Sequence, residues 1–406
     1  MPSTTTRRQP GRPCAPWRRR VDPPPFPAMS ASIDSSTLPA PRSGMRLAYL
    51  HRAAEPAGDL AARLTRLALE VERAGFDFLL FDDEPKAGGP VPAARLDPFT
   101  AASFVATRTR HLGLAVTADA AYYEPFNLAR LTASLDHITH GRAALNLTLD
   151  PARSAAANFG VRHRAAPEDG QRHAEEFLHI VRSLWDSWED DAFIRDKETG
   201  RFVDGTKIHA IAHRGEHFQV QGPLNVARPP QGQLPLVHVE RSAATREWAA
   251  TEADVVIVAE PDEAGARSAR AALRLGAADG GRDADALAVL ARVVPLVGTS
   301  PSEAADLHAR WAPLLPAGIV AAGTAGEVAD RLHGWVEQGV ADGYAVLPAP
   351  VAGQWPRFAE AVLPELARRG AIGPAPGVGA TLRERLGLAR PANRHAAAPT
   401  LSGQTT

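Results

Sequence analysis

The sequence predicts an α/β protein built as a single (β/α)8 barrel, the TIM architecture, and three observations lead there. Short apolar runs of strand length alternate with helix-period segments from Met45 to Arg369. The polar interruptions of those runs sit at their carboxyl ends, where parallel barrels gather their ligand chemistry. The length, 406 residues, suits one large barrel of about 250 residues or more carrying tails.

The pattern is sharpest between His111 and Asp150. Leu112–Val116 is an apolar run ending at Thr117, Pro125 marks a turn, a helix-period segment spans Asn127–His137 and stops at Gly141, and Ala143–Leu149 is a second apolar run broken only by Asn146 and Thr148. Runs of that length joined by a crossover helix read as parallel strands. A buried Asn without partners costs about 1–3 kcal/mol, so Asn146 is either satisfied inside the barrel or used on a ligand.

The remaining elements follow in order. Met45–Leu50 is the first strand; Leu60, Leu64, Leu67, Leu69 and Val71 form a helix face closed by Gly75. The second strand ends in Asp82 and Asp83, carboxylates that either solvate the loop or meet a ligand. Asp97–Thr107 is the second helix, and a fourth runs over about 167–188 with Phe177, Ile180, Val181 and Leu184 on one face. The fifth strand ends at Glu240, and a helix is expected to open at Arg241-Ser242, with Ser242 as its N-cap or as a hydroxyl for an anion seated on the helix N-terminus. Segments 253–259, 287–297 and 344–349 supply strands six to eight, and Phe358–Arg369 the last barrel helix. Gly323–Val328, GTAGEV, lacks the lysine of a phosphate loop and reads as a capped helix start.

Residues 189–232 are too long for an ordinary loop and are expected as an excursion over the barrel mouth. His209, His213 and His217 lie four apart there, the spacing of metal ligands on a helix, but alternating apolar residues and Gly215 argue for strand and turn, so no metal is expected. The domain reading is an extension at 1–44, a barrel at 45–370 and a docking tail at 371–406 that is unordered from 394.

Composition excludes several classes. With 45 basic and 46 acidic residues, net −1, nothing in the overall charge attracts nucleic acid or an anionic membrane. The single cysteine, Cys14, rules out an intrachain disulfide and makes the cytoplasm the expected setting. No run reaches the ~18 apolar residues of a membrane helix. Residues 1–44, rich in Pro, Ser and Arg, are expected to stay unordered, with no signal peptide behind Arg7, Arg8 and Arg18–Arg20, and with Met29 or Met45 as alternative starts.

Several stretches carry a resemblance. PFNLARLTASLDHITHGRAALN at 125–146, NFG at 158–160, SLWDSWEDDA at 183–192, HFQVQGPL at 217–224, VADGYAVLP at 340–348, VLPELARRG at 362–370 and TLRERLGLARPAN at 381–393 resemble the bacterial-luciferase-like flavin monooxygenases, in the branch of nitrilotriacetate, EDTA and dibenzothiophene-sulfone monooxygenases. The resemblance implies a homodimeric enzyme that takes reduced FMN from a separate flavin reductase and oxidises a small organic substrate with O2. It places Asp83 and Thr117 against the flavin and Ser242 on its phosphate. Asn146 and Thr148 fall on the family's Asn-x-Val-Thr-Ser, and Arg241 and Arg246 offer positive charge beside Ser242.

The chain also departs from the family pattern. Asp119, Ala120 and Ala121 replace a Ser-Thr-Thr run, Leu149 and Asp150 stand where the family has Thr-Ser, so that the Asn of that motif is kept and its Thr-Ser is not, and Pro167 and Gln171 stand where the family has a His and a Tyr, with His173 as a shifted substitute. His238-Val239-Glu240 replaces Gln-Ala-Gly, and Thr245 a Gly. The step from Trp311 to Gly323 is shorter than in the family, so part of the wall or lid is expected to be missing. Because these departures fall on the cofactor side, two alternatives stand beside the enzyme: a flavin-poor barrel serving as a partner subunit, and a deazaflavin oxidoreductase.

Overall fold

The computed structural model describes residues 44–51, 59–83, 96–149, 158–159, 170–373 and 379–396. The expectations for 1–43, Asp150, Gly160, Pro167 and 397–406 lie outside those residues. Eight strands, β1 (Arg46–His51), β2 (Phe78–Phe81), β3 (Gly113–Asp119), β4 (Ala143–Thr148), β5 (Leu236–Val239), β6 (Val255–Val258), β7 (Ala288–Gly298) and β8 (Gly343–Val346), pair in parallel. The ring closes because β7 is bonded to β6 on one edge and β8 on the other, and β8 to β1.

Around the ring lie α1 (Leu60–Arg73), α2 (Pro98–Ala106), α3 (Pro125–Thr139), α4 (Gly170–Trp185), α5 (Arg246–Glu252), α6 (Glu263–Asp279), α7 (Pro301–Trp311) and α8 (Ala325–Glu337). A final helix runs as Gln354–Arg357, a π-helical stretch Phe358–Val362, and Leu363–Arg368. Their ends follow local chemistry. Asp59, Asp97 and Asp262 accept backbone amides as N-caps, Thr324 and Glu327 form the capping box expected at GTAGEV, and α3 stops where His140 turns left-handed before Gly141. No described helix is long and apolar enough to cross a membrane.

Strand alternation divides the buried residues into two sets. Ala48, Leu50, Phe78, Leu80, Ala115, Ala144, Val237, Val239, Val255 and Ile257 face inward and pack together, while their neighbours face the helices. The floor of the barrel, at the amino ends of the strands, is filled from the C-terminal tail. Leu382 and Leu386 join the inner cluster, and the Leu382 amide donates to Gly141 O at 2.8 Å. At Gly113 a Cβ would meet the Asp77 carbonyl at 2.8 Å and Leu382 at 2.9 Å, so glycine is what lets the tail seat there. Order runs further along the tail than the sequence suggests: Arg394 donates to Ser183 Oγ at 2.7 Å, and His395 stacks on His209 with centroids 4.0 Å apart.

The excursion after α4 starts at this closed end, as a helix-to-strand connection must. Arg228 pairs with Asp186 at 2.9 Å, Gln231 holds Asp136 and the Ala143 carbonyl, and Asn393 donates to the Asp186 and Trp188 carbonyls. Its short hairpin, His213–Arg214 with Gln219–Val220, then climbs along α4, where Glu176 accepts from the His217 and Phe218 amides at 2.9 and 3.0 Å. The excursion therefore forms a side wall that reaches the mouth only beside the first turns of α4.

Among the described residues, a different segment lies over the mouth. β7 continues past β8, and an additional strand, Ile319–Thr324, pairs with 293–298. The short step after Trp311 thus still builds wall, where the sequence suggested a deletion. Leu307 and Trp311 of α7, with Leu315, pack against the inward-facing set along this raised wall. The Gln354 side chain bonds both the Val297 amide and carbonyl and pins the extension in place.

Ring closure leaves little room at Gly343, which has φ +156° and lies against Arg46 so closely that a Cβ would collide with its carbonyl. Gly343→Ala is expected to lower stability by about 3 kcal/mol, the upper end for one substitution, measured as the shift in urea unfolding followed by circular dichroism.

Candidate active site at the carboxyl ends of the strands

The inward-facing residues at the strand tips form a polar layer above the apolar lumen. Asn146 is fully buried; its Oδ1 accepts the Val239 amide at 3.1 Å and its Nδ2 donates to Thr117 Oγ1 at 2.9 Å. One side chain thereby links β3, β4 and β5, where the β4–β5 ladder has two residue pairs. Of the two roles left open for Asn146, satisfied inside the barrel or used on a ligand, its bonds serve the internal one. Above it, Thr148 Oγ1 donates to Asp119 Oδ2 at 2.9 Å, and Asp119 Oδ1 accepts the Ala121 amide at 2.9 Å. Asp119, which departs from the family pattern, replaces hydroxyls by turning the loop and fastening Thr148.

Across the mouth Arg241 also faces inward. Its Nη2 lies 2.9 Å from Asp82 Oδ1 and 3.2 Å from the Asp83 carbonyl. Of the two acidic residues ending β2, Asp82 is thus the buried partner, while Asp83 is half-buried. The Asp83 carboxylate acts on Tyr123, whose hydroxyl is pushed up to about 12, first by burial and then by Asp97 and Asp83.

The alternate residues of β5 face outward and have a different fate. His238 Nδ1 lies 3.0 Å from the Leu147 carbonyl and Nε2 lies 2.8 Å from Thr245 Oγ1. A carbonyl only accepts, so Nδ1 carries the proton and Nε2 receives the Thr245 hydroxyl. Burial pushes this imidazole down to about 4. Glu240 pairs with Arg246, which also reaches Glu260 at 3.1 Å. Arg246 is therefore held on the helix side of the strand by two carboxylates, away from the mouth.

Ser242 does not cap a helix as expected. It is extended, makes no capping hydrogen bond, and precedes one 3-10 turn, Ala243–Thr245, before the seven residues of α5. A helix of that length contributes little aligned dipole. The His173 ring faces the hairpin, 5.2 Å from His217 and 4.8 Å from Phe218, and Gln171 is exposed and bonds Glu175 on its own helix. His209 and His213 part company, on Glu189 and Glu176 at 2.8 Å each.

Sequence reading missed the apolar half of the mouth. Val294, Leu296 and Leu347 are buried, with Leu307, Trp311 and Val320 half-buried beside them. The signal was available as Leu307 and Trp311 one helical turn apart, but a helix lying on the inner face of a strand extension leaves no mark in periodicity.

Comparison with known proteins places this geometry. The family described as luciferase-like monooxygenase matches residues 43–384. The chain belongs to that family. Nitrilotriacetate monooxygenase component A of Aminobacter aminovorans is 35% identical over 367 residues, covering 74% of this chain and 81% of the relative. N-acetyl-S-(2-succino)cysteine monooxygenase of Bacillus subtilis (strain 168) is 30% identical over 399 residues, covering 81% and 90%. Among solved structures, riboflavin lyase with modified FMN and riboflavin superposes with a TM-score of 0.76 at 25% identity, over 86% of this chain and 97% of that one. Two pairs of the residues that the sequence comparison singled out are bonded to each other, His238 to Thr245 and Asp119 to Thr148.

The folded protein keeps His238 neutral down to about pH 4, whereas an unfolded imidazole protonates near 6.5. Its contribution is complete above pH 6.5 and is lost as pH falls toward 4. Asp136, fully buried and pushed up to about 6, has the opposite sign between 3.8 and 6. Comparing wild type with His238→Gln therefore isolates the imidazole. Between pH 6.5 and 4 the unfolding free energy of wild type is expected to fall more steeply, by up to about 1.4 kcal/mol per pH unit, in urea unfolding across a pH series. Equal slopes would mean that His238 is not held neutral.

Proposed function

We propose that this chain is the oxygenating component of a two-component monooxygenase, receiving reduced FMN from a separate flavin reductase and oxidising a small organic substrate. The observation that carries the cofactor is the donor set at the mouth. Thr117 is 4% exposed, and its hydroxyl proton meets no acceptor among the described residues. A buried donor with no acceptor from the protein calls for one from a ligand or an ordered water. Arg241 brings a guanidinium to the end of the second strand, against Asp82. A hydroxyl donor and a guanidinium suit a ligand with carbonyl and ring-nitrogen acceptors at one end and a phosphate at the other, so the residues fit FMN.

In this reading Thr117 holds the ring and Arg241 the phosphate, with Asp82 orienting the guanidinium. Bound reduced FMN supplies the electrons that activate O2. The protein's part is to bind, orient and keep water away. The apolar half of the mouth, with α7 laid over it, offers Leu296, Leu307 and Trp311 to an organic substrate and excludes solvent. A homodimer and a cytoplasmic setting complete the proposal, on the resemblance and the single Cys14. Asp83, Thr148 and Ser242 stay candidate contacts at the rim.

A second reading draws on Arg246, held by two carboxylates on the helix side of its strand, and on His173, whose ring packs on the hairpin. With them absent from the phosphate end, the barrel would hold FMN weakly and act as a partner subunit, or take a deazaflavin. Titration of the purified protein with FMN, oxidised and then anaerobically reduced, separates the readings. The monooxygenase reading expects micromolar or tighter binding, weakened about tenfold or more in Arg241→Ala, the effect of losing a charged hydrogen bond of about 1.5–3 kcal/mol. Dissociation constants above about a millimolar, roughly −4 kcal/mol, would favour the second.

A further inference from the structure

We infer that Asn146 is a positioning residue: it compels Thr117 to act as a hydrogen-bond donor toward the flavin ring and does not itself touch the cofactor. This rests on the flavin reading above. The argument is one of donor and acceptor accounting at two buried side chains. Thr117 and Asn146 are direct partners in the β3–β4 register, so their side chains stand side by side at one level of the lumen.

The direction of the amide is set by backbone. The Val239 N–H can only donate, so the end of Asn146 that meets it at 3.1 Å is Oδ1. Nδ2, which also only donates, then faces Thr117 Oγ1 at 2.9 Å, and that oxygen must accept. The reverse arrangement, with Thr117 donating to Asn146, would turn Nδ2 against the Val239 N–H and set two donors face to face in a buried site. A threonine hydroxyl has one proton. With the oxygen accepting from Asn146, that proton points off the Asn146 line, where no described residue accepts it.

The consequence is a polarity requirement on the ligand. The atom beside Thr117 must be an acceptor, and the contact strengthens when that ring gains negative charge, because hydrogen bonds to charged groups are stronger than those between neutral groups. The Thr117–Asn146 pair thus favours reduced over oxidised flavin, which is the form a separate reductase delivers.

The test uses the full-length protein and FMN titrations in both redox states, with circular dichroism to confirm folding. Thr117→Val is expected to weaken oxidised FMN about five-fold and reduced FMN about tenfold or more. N146D is isosteric, and its ionised carboxylate would accept from both Val239 and Thr117, reversing the hydroxyl. It is expected to lose affinity to a similar degree at pH 8 and to regain it as pH falls and the introduced carboxyl, once protonated, donates to Thr117 as the amide does. Thr117→Val has no such recovery, and the double variant should bind no more weakly than Thr117→Val alone. The absorption band of bound FMN should shift with the same pH dependence in N146D and not in wild type. Wild-type affinity in Thr117→Val, or in N146D at every pH, would overturn the inference, as would additive losses in the double variant. If N146D does not fold, the difference between oxidised and reduced FMN in Thr117→Val decides it, because that difference reads the donor direction that Asn146 imposes: equal losses in the two redox states would overturn the inference. Failure of wild type to bind FMN removes the flavin reading itself, before any variant is compared.

Discussion

Side-chain alternation around a closed ring of parallel strands is the constraint from which the site follows. Each strand residue is assigned to the lumen or to the helix layer by its parity, and one step changes its chemistry entirely. On β5 and just beyond it, Val237, Val239 and Arg241 share one parity and His238 and Glu240 the other. Arg241 therefore reaches the mouth and Asp82, whereas Glu240 recruits Arg246 to the outside. Two arginines five residues apart are placed on opposite sides of the strand for no reason visible in their identities.

The polar layer at the mouth is economical in its bonding. Asn146 engages both ends of its amide, Thr148 and Asp119 satisfy one another, and Asp82 neutralises Arg241. A buried network of this kind is stabilising only when its members are paired, since each orphaned group costs about 1–3 kcal/mol. The opposite wall, from β7 and β8, is apolar. The mouth is thus divided, with hydrogen-bonding groups on one side and hydrocarbon on the other, and the proposed function draws on that division for an oriented flavin and a dry space.

The closed end explains why the tail and the excursion are tied together. Gln231 from the excursion holds Asp136 and the Ala143 carbonyl and accepts the Arg383 amide, while Arg228 and Arg390 converge on Asp190. The tail's Leu382 fills the floor that this frame surrounds. The same logic of local pairing holds at the strand tips. His238 bonds Thr245 and Thr148 bonds Asp119, so these buried groups are satisfied by near neighbours.

The amino-acid sequence by itself determined the barrel, the order of its elements and the family, because apolar period, capping residues and turn glycines act over a few residues and survive in one dimension. Thr117 and Asn146 stood out as candidates for the same reason, as polar interruptions at strand ends, and Arg241 as a charge beside Ser242. Only the tertiary structure decided what they do. Asn146 turned inward on Thr117 and Val239, Arg246 and His173 were drawn to partners on neighbouring elements, Ser242 lost its expected helix, and the cover over the mouth came from α7 instead of residues 189–232. Each of these outcomes depends on which groups meet across strands distant in the chain, and on which end of the barrel a connection leaves, and neither is encoded in local spacing.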